Sequence, residues 1–282
     1  MKRIAILGTG SLGSLFAFHC AEHQLYALPR DQHSASHIQV QAPNQHWQAQ
    51  LPCWQGEPLD WLVVCTKAAA TLSALQAWQP YLSKVSNLLL LQNGMGQQQQ
   101  VADWLQEQKL EPVLWAGMST EGAYRLNDTV VYAGIGKNLI GLWPQGHSTI
   151  TALPHTELVT DIKHRLLNKL AINAVINPLT ALLRCLNGEL VTNTEYREQC
   201  LALSHEVSQL YRALGWQLEQ PLDELALQVA SATAQNRSST LQDIEAGRST
   251  ELPYICGFLL EQAQQIGYPM PLTAKLLHAL HI

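Results

Sequence analysis

Residues 4–7 are all apolar, Gly8-Thr9-Gly10-Ser11-Leu12-Gly13 follows at once, and residues 14–23 then read as a helix. Strand, glycine turn, helix is the context in which a GxGxxG pattern carries weight. The first glycine permits a tight turn, the second lets backbone approach a pyrophosphate, and the third lets the helix pack on the strand. Free N–H groups and the positive dipole end of the helix face the same phosphates. This opening predicts an α/β fold, an N-terminal Rossmann-type doubly wound sheet with a dinucleotide at its first turn. The competing reading is a plain glycine turn between two elements, and the strand-turn-helix setting weighs against it.

The next strand is expected at residues 24–28, ending at Pro29-Arg30-Asp31. Near this point an acidic residue binds the ribose 2′-OH of NAD, whereas an arginine accommodates the 2′-phosphate of NADP. Arg30 favours NADP. Asp31 suits a cap on the following segment, and its selection of NAD stays open. Residues 34–58 are polar with weak alternation and fit either short strands or a helix. A buried strand over 59–66 ends in Lys67, and a basic residue at the carboxyl end of such a strand points into the ligand crevice. Helical spacing follows over 68–82. Residues 87–91 form another buried strand, whose exit loop Gln92-Asn93-Gly94-Met95-Gly96 sets Asn93 at the strand end. Its paired glycines let backbone come close to a ligand. A strand at 113–119 comes next, and Thr129–Gly134 with Asn138–Leu142 reads as an antiparallel pair. From about residue 157 the spacing is helical, over 157–186, 193–215, 221–247, 251–267 and 272–281. A boundary there gives a dinucleotide-binding domain over 1–157 and an all-α C-terminal domain over 158–282.

With 282 residues, 47% hydrophobic and 14% charged, the chain can bury a core in each of two domains. A formal net charge of -5 gives no electrostatic footprint for nucleic acid or a membrane surface. Six cysteines without a CxxC pair, several in apolar runs, point to a reducing compartment and no disulfide framework. The histidines show no ligand spacing, so no metal site is indicated. The basic N-terminus resembles the start of a signal peptide, but its apolar run stops at the glycine turn. No stretch is expected to reach the roughly 20 apolar residues that span a bilayer. The cytoplasm is the expected location.

Lys169, Asn173 and Asn177 recur at i, i+4 and i+8, a stripe about 12 Å long on one helix. Between them lie only Leu170, Ala171, Ile172, Ala174, Val175 and Ile176. A helix apolar on all faces is buried, and an amine and two carboxamides there cost free energy unless paired. Either they line a cavity with fixed donors and acceptors, or they pair with neighbouring chain inside a core. Pro178 is expected to kink or end the helix at Asn177. A second polar cluster spans 236–251. Ser239, Gln242 and Asp243 share a helical face there, and Glu251 opens the next helix, where a carboxylate suits the dipole. An ordinary solvated face with a helix start accounts for the same spacing.

Taken together, the glycine turn, Lys67, Asn93-Gly94-Met95-Gly96, the Lys169 to Thr180 segment, and Ser238-Ser239 with Asp243 and Thr250-Glu251 resemble the ketopantoate reductase (2-dehydropantoate 2-reductase) family. The likeness covers almost the whole chain, although residues 34–58 and 143–156 match poorly. The glycine motif is generic; the spaced Lys, Asn, Asn, Pro and the Ser-Ser to Glu segment are specific. The resemblance implies NADPH-dependent reduction of ketopantoate to pantoate, in pantothenate and coenzyme A biosynthesis, by a monomer or homodimer. It implies that Lys169 is the general acid and that Glu251 binds the substrate hydroxyl and holds Lys169. Asn173, Asn177 and Ser239 would contact substrate. Asn93 would serve substrate and cofactor, Lys67 would lie near the nicotinamide ribose, and Gly8, Thr9, Gly10, Ser11, Leu12, Gly13 and Arg30 would hold the phosphates. Burial lowers the pKa of Lys169 and Glu251 raises it, a balance the sequence leaves open. Competing functions are a related dehydrogenase for another small 2-keto acid, and a non-catalytic dinucleotide sensor, which has no reason to carry Lys169 and Glu251.

Overall fold

The computed structural model describes residues 1–146, 150 and 152–282. The chain divides into two compact units, Met1–Gln92 with Gln97–Lys163, and Asn93–Gly96 with His164–Ile282. The first unit contains, in order, β1 (Arg3–Leu7), α1 (Ser11–His19), β2 (Gln24–Ala27), β3 (Ser36–Ala42), β4 (Gln45–Leu51), β5 (Leu59–Val64), α2 (Thr71–Ala77), β6 (Val85–Leu90), α3 (Gln97–Glu107), β7 (Val113–Ser119), β8 (Gly122–Leu126), β9 (Thr129–Gly134), β10 (Asn138–Leu142) and β11 (Thr156–Leu158).

A seven-stranded sheet runs β11-β10-β7-β6-β5-β1-β2. It is parallel except where β10 meets β7. Successive side chains point to opposite faces, and here both faces are buried. Ile4, Ile6, Trp61, Val63 and Leu89 pack against Leu15 and Phe16 of α1. Ala5, Leu7, Leu62, Val64, Leu88 and Leu90 pack against Leu75 of α2 and Val101 and Trp104 of α3. Strands covered on both sides have to be apolar at nearly every position, which is what makes them legible as continuous runs. The Rossmann-type sheet expected from the glycine turn is present.

A second, four-stranded sheet runs β4-β3-β9-β8. Its Ile38, Val40, Leu51 and Val130 share a core with Leu15 and Phe16, so α1 lies between the two sheets. The unassigned stretch 34–58 supplies the β3–β4 hairpin. The expected pairing of Thr129–Gly134 with Asn138–Leu142 is not found: β9 pairs with β3 and β8, whereas β10 pairs with β7 and β11. Alternation specifies which face of a strand is buried and leaves its partner open. Here the chain crosses from one sheet to the other after Gly134.

The helical region begins later than residue 157, because 156–158 form an edge strand. It comprises α4 (Ile162–Leu183), α5 (Glu189–Thr192), α6 (Thr194–Ala213), α7 (Leu222–Ala232), α8 (Ser239–Glu245), a π-helical turn at Pro253–Gly257, α9 (Phe258–Gln265) and α10 (Pro271–Ala279). The single helix expected over 221–247 is broken, since the Ala234 and Asn236 carbonyls turn away to accept from Gly188 and Asn187.

By length and a mean hydropathy of 1.4, α4 could cross a bilayer, contrary to the expectation for this chain, but 72% of that stretch is buried inside the protein. It is a core helix. Of the two outcomes expected of Pro178, a kink or an end, the end does not occur: α4 runs through Pro178 to Leu183. The Ala174 carbonyl, which Pro178 leaves without its usual donor, lies 3.8 Å from the Cys256 thiol. Thr180 Oγ1 donates to Ile176 O at 2.8 Å. Neighbouring donors thus keep the helix going.

Candidate active site

In the first unit each glycine of the turn has a distinct steric reason. Gly8 has φ +98°, and a Cβ there would stand 2.7 Å from Thr66 N at the exit of β5. A Cβ on Gly13 would stand 2.0 Å from Gly8 O and 3.1 Å from the Cys65 side chain. Around Gly10, apart from its own chain neighbours, no heavy atom of the described residues comes within 4 Å of that position. Two glycines are therefore consumed by packing, and the middle one keeps a space clear. The N-terminus of α1 has no side-chain cap, so Ser11 and Leu12 begin a helix whose first N–H groups have no side-chain acceptor among the described residues. The Thr9 carbonyl is fixed by the Ser14 hydroxyl at 3.1 Å. Lys67 follows Thr66 at the exit of β5, beside this turn.

Arg30 and Asp31 separate clearly beyond β2. The Ser34 hydroxyl and the N–H groups of Ser34 and His33 donate to the Asp31 carboxylate. Those bonds hold its pKa down to about 2. Asp31 is thus engaged by its own turn. Arg30 is exposed and makes no hydrogen bond among the described residues.

In the second unit, Lys169 Nζ donates to Asn93 Oδ1 at 2.8 Å, and Asn93 Nδ2 donates to Glu251 Oε2 at 3.0 Å. Lysine only donates and a carboxylate only accepts, so one orientation of the Asn93 amide satisfies both. The loop Asn93–Gly96 belongs to this unit. Met95 N donates to Tyr254 O at 2.8 Å, and a Cβ on Gly94, at φ +85°, would meet that same carbonyl at 2.6 Å. The sequence reading gives these glycines to a ligand's approach; within the protein, Gly94 makes room for the Tyr254 backbone. Glu251 sits just before the π-helical turn, its carbonyl accepting from Tyr254 N and Ile255 N. Burial pulls the pKa of Lys169 down against the opposing charge of Glu251, and burial wins, setting it at about 8.

Along α4, Asn173 is half-buried and Asn177 buried, and neither side chain bonds to the described residues. An amide kept in a protein wall without a partner suits a ligand better than a core. The 236–251 cluster divides. Ser238 is buried, caps α8 by accepting from Leu241 N at 3.1 Å, and shares a 2.8 Å hydroxyl–hydroxyl hydrogen bond with Thr180 Oγ1. Asp243 accepts from Arg248 Nε at 2.9 Å. Both serve the fold, whereas Ser239 is exposed beside them. Sequence reasoning missed Asn93 as the link between Lys169 and Glu251. The signal was present in Gly94 and Gly96, whose left-handed backbone marks a loop pressed against another segment.

A dinucleotide-type glycine turn on a parallel sheet and a helical unit with a half-buried, pKa-shifted lysine together define a two-unit oxidoreductase of Rossmann type. The family model described as Ketopantoate reductase PanE/ApbA matches residues 4–145, and that of its C terminal region matches residues 161–282. The chain belongs to the ketopantoate reductase family. A 2-dehydropantoate 2-reductase of Yersinia pestis is 32% identical over 289 residues, covering 97% of this chain and 92% of the relative. The solved structure of a probable 2-dehydropantoate 2-reductase from Bacillus subtilis aligns with a TM-score of 0.79 at 28% identity, over 99% of both chains. D-mandelate dehydrogenase, solved with NADH and anilino(oxo)acetate, shares the fold with a TM-score of 0.80 at 19% identity, over 99% of this chain and 97% of that one.

Proposed function

We propose that the protein reduces 2-dehydropantoate to pantoate with NADPH, in the cytoplasm, as a step of pantothenate and coenzyme A biosynthesis. The Asn93-linked pair of Lys169 and Glu251 carries this reading. The 1–157 region takes the cofactor and the 158–282 region, with Asn93, takes the substrate. The residues of the first unit suit a dinucleotide: a cleared space at Gly10, an uncapped helix start and an unpartnered Arg30. When bound, the cofactor supplies a hydride to the keto carbon. Negative charge then grows on the carbonyl oxygen and must be met by a cation or an acid. The Lys169 ammonium does both, and a pKa near 8 keeps it protonated at neutral pH yet able to release its proton. Glu251 holds the substrate hydroxyl and, through Asn93, the lysine. Asn173, Asn177 and Ser239 position the keto acid, while Lys67 and Asn93 attend the nicotinamide end. All six cysteines are free, which suits a reducing compartment.

The assay is NADPH oxidation with ketopantoate compared with pyruvate and 2-ketoisovalerate. Preference for either of the latter makes the enzyme a dehydrogenase of another 2-keto acid; activity with none of them, alongside tight NADPH binding, makes it a sensor. Arg30→Ala is expected to raise the NADPH KM roughly 10- to 150-fold, the loss of one charge-assisted bond, and to leave the NADH KM unaltered. Equal use of both cofactors by the wild type would remove the basis for that role.

Glu251→Gln tests the other half of the site. The substitution removes the charge that raises the Lys169 pKa, so that pKa falls below about 8. The alkaline limb of the kcat profile should move to lower pH, the substrate KM should rise, and the NADPH Kd should not change. An unmoved limb with an unchanged KM would return Glu251 to the role of a helix start.

A further inference from the structure

We propose that Arg125 is a further cofactor-binding residue, a guanidinium carried by the smaller sheet that pairs with the pyrophosphate of a dinucleotide seated at the glycine turn. The proposal rests on reading that turn as the dinucleotide site. Arg125 Nη2 donates to the Thr9 carbonyl at 2.8 Å. Thr9 lies between the first two glycines, and the next residue is Gly10, beside which the space is clear of described residues. Arg125 is exposed and has no carboxylate partner among the described residues, so its charge stands unneutralised next to that space.

A brace for the turn explains this poorly. The Thr9 carbonyl already accepts from Ser14 Oγ, and ordering a long exposed side chain for one neutral carbonyl returns little more than it costs. The contact uses one N–H of a fork that carries five. The remaining donors have the geometry that pairs bidentately with phosphate oxygens. The helix N-terminus offers those oxygens only partial charges, and a full charge here complements them.

The strand that delivers Arg125 is anchored at its other end. Glu121, the residue before β8, accepts from His19 Nε2 at 2.8 Å, and His19 closes α1. Tyr132 Oη and Asn138 Nδ2 donate to the same carboxylate, each at 2.9 Å. Both side chains of the His19–Glu121 pair are 2% exposed. Four residues of strand span about 13 Å, which is also about the length of α1 at 1.5 Å per residue. Hence β8 runs beside α1 from its C-terminal end to its first turn and sets Arg125 over the phosphate position before any ligand arrives.

The test measures dissociation constants of the full-length protein for NADPH, NADH, ADP and adenosine, at low and high salt. Arg125→Ala should weaken NADPH, NADH and ADP by a common factor of about ten to a hundred. It should leave adenosine unchanged, flatten the salt dependence of NADPH binding and keep the melting temperature. Arg125→Lys should recover part of the affinity. Unchanged constants for NADPH and NADH would overturn the proposal. So would an equal loss for adenosine, which would mean that Arg125 only shapes the turn. Should the wild type bind no dinucleotide at all, the cofactor reading itself fails and takes this proposal with it, an outcome distinct from the other two.

Discussion

Lys169→Ala is expected to cut kcat by roughly 10²–10⁴, the contribution typical of one positioned acid, in a protein that still folds and binds NADPH. Binding should survive because the glycine turn and Arg30 belong to the first unit. Folding should survive because the ammonium is a strained component of the native state. Its pKa is about 8 in the folded protein, against 10.5 for an ordinary lysine. Below pH 8 both states carry the charge, and the native state bears the desolvation cost, on the order of 3 kcal/mol. Between 8 and 10.5 the unfolded chain binds more protons than the native one, so wild-type stability should rise with pH across that window. The alanine variant should lack that rise. If Lys169 is instead a structural partner of Glu251, its loss strands a carboxylate and costs about 3–5 kcal/mol. Thermal unfolding and single-turnover NADPH oxidation on one preparation separate the two. A large fall in melting temperature with near-normal turnover in the folded fraction would end the general-acid assignment.

The same chemistry explains why this lysine could be found in the sequence. An amine and two amides at four-residue spacing in an otherwise apolar helix contradict the rule that core helices avoid unpaired polar groups. The parallel strands were equally legible, because burial on both faces leaves them few polar positions. Tertiary choices were not. Nothing local says that Thr129–Gly134 pairs with β3 and β8 instead of with Asn138–Leu142, since an alternating strand shows only which side is covered. Nor does the local sequence show what stands at the carbonyl that Pro178 leaves open, because the donor near Ala174 comes from Cys256, distant in sequence. Asn93 looked like a strand-end residue, and its link between Lys169 and Glu251 depends on a loop that leaves the first unit to pack on Tyr254. Of two adjacent serines, Ser238 turned out to be the buried cap, a choice decided by Thr180 across the helix pair.

Alanine at Gly10 and alanine at Gly13 should fail in opposite ways, although the two glycines belong to one motif. Gly10 has φ -72° and ψ -162°, a conformation alanine adopts freely, and apart from its chain neighbours no heavy atom of the described residues lies within 4 Å of the added methyl. Gly10→Ala should therefore keep the wild-type melting temperature. If the pyrophosphate sits at the glycine turn as proposed, the methyl would fill the space it needs, and backbone N–H contacts to phosphate would lengthen or break. Affinity for NADPH and NADH should fall roughly 10- to 150-fold, the worth of one such charge-assisted bond. In Gly13→Ala the methyl would stand 2.0 Å from Gly8 O, a backbone atom that cannot rotate aside. Overpacking costs about 1–3 kcal/mol even where side chains can yield, so the cost here should be about 3 kcal/mol or more. For a domain of this size that lowers the melting temperature by about 6–12 °C. Since β1 and α1 must separate to admit the methyl, the turn should distort and cofactor binding should be lost as well. Calorimetric unfolding alongside NADPH fluorescence titration reads both effects. Full affinity in a stable Gly10→Ala protein would mean that the cleared space is not where the phosphates sit.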